Sequence, residues 1–423
     1  MANVIYSGLE QEHVGSTSDE QAGILSKNMV VVSNDHDPRA IKAVLITLVL
    51  SIVFMKFAPH MLGTSIQLAL PFTFALISYL LFRRLGYISV TKFLLYIGFV
   101  CLASLVSMLA GGKAELPSFL FVCVIYLMYV VEIKISQLAY LKYLNWITYL
   151  GMIAAFMVAI QWACQFLGFG MPSLEIIMPK SIIMFNYVYI QPLEWGAKYM
   201  KPNGIIFLEA SYISQFMALV CIIEACFFQR LKFLAIFAVT LLVSFGGTGM
   251  LLLVLCAPVI LFYLRLKLLP ILIISAPICG VAAYQIGLFE NVQDRLGEFN
   301  QEGTSGNMRF TQQFIVVKKV LLGPPKDAFF GQGSGTMPQG LHIMYTPVSK
   351  VMFEYGIFVY VLFYFFLFRS VFGKGVPFIM SWAMTMQYLW LNGSFLVPIN
   401  NVYLVLICSI FRVTGTEPWA IVA

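Results

Sequence analysis

Residues 144–168 read LNWITYLGMIAAFMVAIQWACQFLG, a run that contains no formal charge. A helix needs about 20 apolar residues to cross a hydrocarbon layer of about 30 Å, and this stretch exceeds that. The rest of the chain follows its lead. Of 423 residues, 60% are hydrophobic, 15% aromatic and only 11% charged. An average soluble domain carries roughly 25% charged residues, so an ordinary water-facing surface is excluded, and so is disorder over most of the length. Scanning for apolar runs bounded by charge or turn residues gives twelve. They lie at about 41–58, 65–82, 93–110, 116–131, 144–168, 205–228, 231–246, 248–264, 268–289, 350–368, 376–391 and 396–411. The seventh and eighth are short and parted only by Gly246, Gly247 and Thr248. They are read either as one hairpin or as a re-entrant pair. The expected fold is an all-α polytopic membrane protein of about twelve transmembrane helices.

Orientation follows from the placement of Lys and Arg in short loops. With the N-terminus inside, the cytoplasmic connections hold Arg83, Arg84 and Lys92; Lys134 and Lys142; Arg230 and Lys232; Arg265 and Lys267; Arg369 and Lys374; and Arg412 follows the last span. The short outer connections hold only Lys56 and Lys113. Both termini are therefore expected in the cytoplasm. Residues 1–39 are polar and acidic and lack the basic start and early apolar core of a signal peptide. They are read as a disordered cytoplasmic tail before a membrane domain at 40–411, with a second short tail at 412–423. The net charge of +7 reports this topology rather than a nucleic-acid partner. The eight cysteines form no CxxC pair and read as apolar packing residues.

Two outer connections are long, about 170–204 and 290–349. In a chain that is otherwise membrane, such loops are where chemistry on water-soluble groups takes place. The first ends in Lys201-Pro202-Asn203-Gly204 and leads to Glu209 at the outer interface. Glu209 has two readings, a helix cap favoured by the dipole or a member of a polar active cavity. The second loop opens with Asp294-Arg295. Arg309 then starts an amphipathic segment with Phe310, Phe314, Val317 and Leu321 at helical spacing, which suits a helix on the membrane surface. The run Gly331-Gln332-Gly333-Ser334-Gly335-Thr336 lacks the Gly-Lys-Ser/Thr ending of a nucleotide P-loop. It reads as a tight turn, or as amides that cradle a phosphate. The loop closes with His342, Tyr345, Thr346, Pro347, Lys350 and Glu354. Pro347 fits the first position of a helix with Thr346 as its N-cap, and Lys350 and Glu354 fall one turn apart.

The polar groups gathered outside are mostly cations with one histidine. No His/Cys cluster has metal-ligand spacing and no Gly-x-Ser-x-Gly elbow is present, so neither metal nor cofactor is expected. Cations at a lipid–water boundary suit an anionic leaving group on a lipid carrier. A His or Glu can then take the proton of an attacking hydroxyl.

Three passages in order resemble a known family. They are Lys201-Pro-Asn-Gly204 through Phe207, Glu209 and Ser211; Arg309 with Phe330-Gly-Gln-Gly-Ser-Gly335; and His342 through Pro347 with Phe353-Glu-Tyr-Gly-Ile357. The chain is similar to the Wzy-type polysaccharide polymerases and O-antigen ligases of bacterial envelopes, and most similar to the xanthan-type exopolysaccharide polymerases. The resemblance implies a GT-C-like helical fold in the bacterial inner membrane with its long loops in the periplasm. It implies polymerisation of undecaprenyl-diphosphate-linked oligosaccharide repeat units by inverting, metal-independent glycosyl transfer. The partners implied are the lipid-linked oligosaccharide, the growing polymer, the bilayer, and chain-length or export proteins of the same pathway. His342, Arg309 and Glu209 are the implied catalytic residues. Lys201, Arg295, Tyr345, Lys350 and Glu354 are the implied contacts to diphosphate and sugar. Lys201 stands where the family usually has Arg, and Ala210 where it often has Pro. Lysine keeps the charge but loses the bidentate fork, which shifts weight to Arg309. A ligase acting on the same carrier is the close alternative; a transporter or flippase is the more distant one.

Overall fold

The structure is a computed structural model that describes residues 38–61, 64–110, 114–184, 187–193, 197–263, 297, 307, 311–337, 345–373, 375–391 and 395–414. The N-terminal tail, the ninth apolar run at 268–289, Arg295, Arg309 and His342 lie outside the described residues.

Helices occupy eleven of the twelve apolar runs. In chain order they are α1 (Pro38–Val53), α2 (Ala69–Phe82), α3 (Val90–Leu109), α4 (Leu116–Leu127), α5 (Gln137–Phe166), α6 (Ala210–Ile223), α7 (Leu231–Val243) and α8 (Gly247–Tyr263). Then come α9 (Gln312–Leu321), α10 (Pro325–Phe330), α11 (Pro347–Val371), α12 (Phe378–Met386) and α13 (Pro398–Leu404). Turns of π-helix extend α6 over Glu224–Phe228, α12 over Gln387–Leu391 and α13 over Val405–Ser409. The protein is mostly helical, and α3, α5, α6 with its extension, and α11 are long and apolar enough to cross a membrane.

Burial sorts these helices. The apolar window of α6 is 83% buried, that of α3 only 28%. So α6 is central, while α3 turns Leu94, Leu105 and Met108 outward. Such an uncovered apolar face suits lipid. The residues of α13 and its extension are buried throughout. Between them lies an aromatic nest in which the Tyr126 ring sits 5.9 Å from Phe99, 5.1 Å from Phe363 and 5.1 Å from Phe395. Its hydroxyl bonds that of Tyr388, so neither of these two buried hydroxyls is left unsatisfied.

α7 and α8 form a hairpin flush against α6. Their turn lies beside Ser211 and Ser214, and Trp162 near the end of α5 donates to the Val243 carbonyl (3.1 Å). The turn of the hairpin thus lies level with the C-terminal end of α5 and the start of α6. Close approach depends on glycine: a Cβ on Gly249 would stand 2.5 Å from the Ser214 carbonyl carbon, the small-residue packing expected of membrane helices. Glu224, near the C-terminal end of the sixth run, is fully buried and paired with Arg230, which also bonds Thr148 Oγ1 (2.9 Å).

The all-α expectation needs amending at one end of the bundle. Strands β3 (Tyr87–Ile88), β4 (Val131–Ser136) and β5 (Phe411–Thr414) form a sheet in the order β3-β4-β5, antiparallel then parallel, with Tyr87 opposite Glu132 and Ile133 opposite Phe411. Two further short strands, β1 (His60–Met61) and β2 (Thr64–Ser65), pair as a hairpin between α1 and α2. β4 reads VEIKIS, and its alternation buries Val131, Ile133 and Ile135 in turn, the signature of a strand with one covered face. Ser136 then caps α5 by accepting from Ala139 N (3.2 Å). The final tail is corrected accordingly, since Arg412 lies in β5. Lys92 is likewise not a solvated loop cation. It sits in the first turn of α3, buried, 3.0 Å from Glu132 and donating to the Ser409 carbonyl (2.6 Å).

At the other end, Lys56 follows α1 and is only 1% exposed. Its ammonium bonds Glu175 (2.6 Å) and Ser173 (2.9 Å) in the first long loop. The loop backbone is tied to the same segment, with Ala58 N donating to Ile182 O (2.9 Å).

Candidate functional site

Residues 331–337 and 345–356 meet at a break in a helix. α11 is broken at Gly356, whose φ of 70° and ψ of −177° lie in a region open essentially to glycine alone. A break inside an apolar helix frees carbonyls that lipid cannot satisfy. The glycine run supplies the donors: Gln332 N bonds Phe353 O (3.0 Å) and Gly333 N bonds Glu354 O (2.8 Å). A Cβ on Gly331 would meet Glu354 O at 2.5 Å, and one on Gly356 would meet Gly331 N at 2.6 Å. The two glycines therefore pack backbone to backbone. The run is also pinned to the start of α4, where Glu115 N donates to Ser334 O (2.8 Å) and Ser334 Oγ to Glu115 O (3.1 Å). Of the two readings offered for Gly331–Thr336, the tight turn describes these amides. Two passages far apart in the chain, Gly331-Gln-Gly333 and Glu354-Tyr-Gly356, form one structural unit.

Glu354 stands just before the break and is fully buried. Lys350 lies one turn back at 3.4 Å, as the spacing predicts. Neither carboxylate oxygen has a hydrogen bond among the described residues, although the amides of Gly335 and Met337 interact with it. Two residues before α11, the buried Tyr345 hydroxyl also has no hydrogen-bond partner among the described residues, and burial pushes its pKa up. Thr346 occupies the N-cap position, with Pro347 following it in the first turn. Its hydroxyl, however, does not cap the helix; it donates to Gln313 Oε1. That bond docks α9 on α11.

The expected amphipathic segment is helical over α9, with its apolar Phe314 and Leu321 left uncovered by protein. Gln313 and Val320 point inward, while Phe314, Ile315 and Leu321 are exposed. Phe314 stacks on Trp390 (5.7 Å between centroids). The exposed apolar side is what a helix lying on lipid presents. Gln313 as the partner of Thr346, and Gly331 as the partner of Gly356, are site-building contacts that the sequence reading did not give. Only the glycine count of 331–335 hinted at them.

Lys201 and Glu209 belong to a second group, organised by Asn203. Asn203 Nδ2 donates to Tyr189 O (3.0 Å) and Ser173 Oγ (3.1 Å), while its Oδ1 accepts from Gln161 Nε2 (2.9 Å) and Ile205 N (3.0 Å). Gln161 Oε1 in turn accepts from Gly204 N (2.8 Å). This network holds Gly204 and the β-branched Ile205 at positive φ, a conformation that Ile adopts only when its surroundings enforce it. Lys201 N donates to Gln191 O (2.7 Å). Glu209 takes the N-cap position of α6, yet its Oε1 accepts from Val188 N (3.2 Å) and its Oε2 from Ser211 Oγ (3.3 Å). Its carboxylate thus secures the loop over the helix start rather than capping the helix.

Of the eight sequence-predicted site residues, Tyr345, Lys350 and Glu354 gather at the start of α11, and Lys201 and Glu209 flank the Asn203 network. Arg295, Arg309 and His342 lie outside the described residues. Glu354→Gln is expected to preserve folding, with thermal stability within about 1 kcal/mol of wild type, because a weakly hydrogen-bonded buried charge returns little stability. Thermal melting of the purified variant checks this; a loss of several kcal/mol would make Glu354 a structural anchor. Compared with known proteins, the chain matches no protein-family profile, no curated protein and no solved structure.

Proposed function

We propose that this chain is a membrane-embedded glycosyltransferase that polymerises lipid-diphosphate-linked oligosaccharide repeat units at the outer face of the bacterial inner membrane. The observation that carries this reading is the interrupted helix α11. It places a buried carboxylate and a lysine directly after the loop that carries Arg309 and His342, beside a helix with an apolar outer side. Cations and a proton acceptor at a lipid–water boundary are what transfer from a lipid diphosphate requires. In the proposed reaction, a sugar hydroxyl of the incoming unit attacks the anomeric carbon of the growing chain. The bond to the diphosphate breaks and its electron pair leaves with the diphosphate. His342 takes the hydroxyl proton, and Arg309 binds the departing phosphate oxygens through its bidentate fork. The pairing of Glu224 with Arg230 leaves that carboxylate committed to structure, which speaks against a transport reading built on it.

Arg309→Ala is expected to abolish polymer while the protein still inserts, and His342→Ala to reduce polymer by about 10²-fold or more, the usual contribution of a general base. Deletion is expected to leave lipid-linked single repeat units on the outer leaflet. Full polymer yield from Arg309→Ala would overturn the assignment. Long chains retained on the carrier after deletion would identify a ligase instead, and repeat units confined to the inner leaflet a flippase.

A further inference from the structure

The three-stranded sheet closes a cavity that the proposed reaction does not use. Its volume is about 270 Å3, and it lies where α3 begins and α11 ends. Three cations reach it from three elements: Lys92 from the first turn of α3, Arg369 from the last turn of α11 and Arg412 from β5. Among the described residues the lining holds one carboxylate, Glu132 on β4.

That carboxylate is already engaged. It takes Lys92 at 3.0 Å and Tyr87 Oη at 2.9 Å. Burial alone would raise its pKa, but the Lys92 charge and the hydrogen bonds from Lys92, Tyr87 and Ser89 outweigh burial and hold it below the ordinary carboxylate value. The two arginines are in surplus. Arg412 donates to the Tyr87 hydroxyl (3.2 Å). Arg369 makes no hydrogen bond or ion pair among the described residues, and it lies near enough to Lys92 to repel it.

A second feature adds charge of the same sign. Ser89 is the N-cap of α3, but its side chain makes no cap bond. The first-turn amides of a helix have no partner within it, and residues 89–92 line the cavity. The positive end of a twenty-residue helix therefore opens beside two arginines. Like charges held together at a hydrocarbon edge repel one another unless an anion sits among them.

We propose that this cavity is an anion site that receives one phosphate group, its oxygens bound by Arg369, Arg412 and the opening amides of α3. Guanidinium forks and free helix amides are both matched to phosphate oxygens. The site lies at the ends of two long apolar helices, so a phospholipid headgroup can reach it as readily as soluble phosphate. The inference stands apart from the catalytic reading, because it uses none of those residues.

The test uses the full-length protein in nanodiscs of phosphatidylcholine with and without phosphatidylglycerol. Retained lipid is read by native mass spectrometry, and inorganic phosphate binding by equilibrium dialysis. The expected result is retention of one phosphatidylglycerol with roughly tenfold preference, lost in the double variant Arg369→Gln/Arg412→Gln. Arg369→Lys should restore part of it. Lys142→Gln should leave it unchanged, since Lys142 is exposed and outside the lining. Binding of inorganic phosphate that the double variant abolishes, without lipid preference, would support the site with a soluble ligand. If the correctly folded double variant binds both probes as wild type does, or wild type binds neither, the proposal fails. Monodispersity and melting temperature verify folding, and both arginines are partly exposed, so their loss opens no core.

Discussion

Gly356→Ala is expected to cost roughly 3 kcal/mol or more, from a backbone region closed to L-residues and from steric overlap in a packed site. The overlap is with backbone: the new methyl would stand 2.6 Å from Gly331 N. Neither side can yield by rotating a side chain. The helix would either straighten, losing the bonds that Gln332 N and Gly333 N make to α11, or push the glycine run away. Both routes displace Glu354, so polymer formation should fall together with stability. Gly247→Ala is the matched control, because a Cβ there meets nothing within 4 Å. Melting of the purified proteins and polymer yield in a complemented deletion strain provide the measurements. A Gly356→Ala variant with wild-type values of both would show that the break is dispensable.

The second large effect concerns Lys56. Removing its partner by Glu175→Ala should destabilise the protein by about 3 kcal/mol, because a lysine with 1% exposure is left without its counter-charge. Ser173 alone remains in bonding distance. Replacing both members, Lys56→Met with Glu175→Leu, should recover most of that loss, since a buried ion pair is often no better than apolar packing of similar volume. A double-mutant cycle by thermal melting reads the coupling. If Glu175→Ala melts within 1 °C of wild type, the bridge does not hold the loop. Loss of polymer without loss of stability would instead move this pair into the site.

The helices were legible because length and apolarity are local properties. Eleven of the twelve runs need no knowledge of their neighbours, and the basic connections mark the turns between them. What escaped depends on partners far away in sequence. Lys56 and Lys92 look like loop charges until Glu175 and Ser409, 119 and 317 residues away, are brought beside them. The strand at 131–136 is too short to stand out next to a span, and only pairing with 411–414 makes it a sheet. The break at Gly356 is hidden inside an apolar run. Its cause is the close approach of Gly331, which no spacing within either segment reveals. In the site, the pairing of Lys350 with Glu354 was readable from helical geometry. The partners of Gln313, Thr346 and Asn203 were not, because their hydrogen bonds join segments that the chain keeps apart.

The burial of α13 and the pairing of β5 carry a consequence for how the protein is made. Membrane proteins are inserted in the order of synthesis, and α13 with β5 comes after every other described element. Yet α13 is enclosed on all sides, and β5 supplies the outer strand beside β4. Without α13 the other described helices would enclose an open slot, and Lys92 would lack the Ser409 carbonyl. A nascent chain halted before residue 398 is a bundle with its centre missing. Such a product also leaves β4 without its outer neighbour, so closure of the bundle centre waits on synthesis through residue 414.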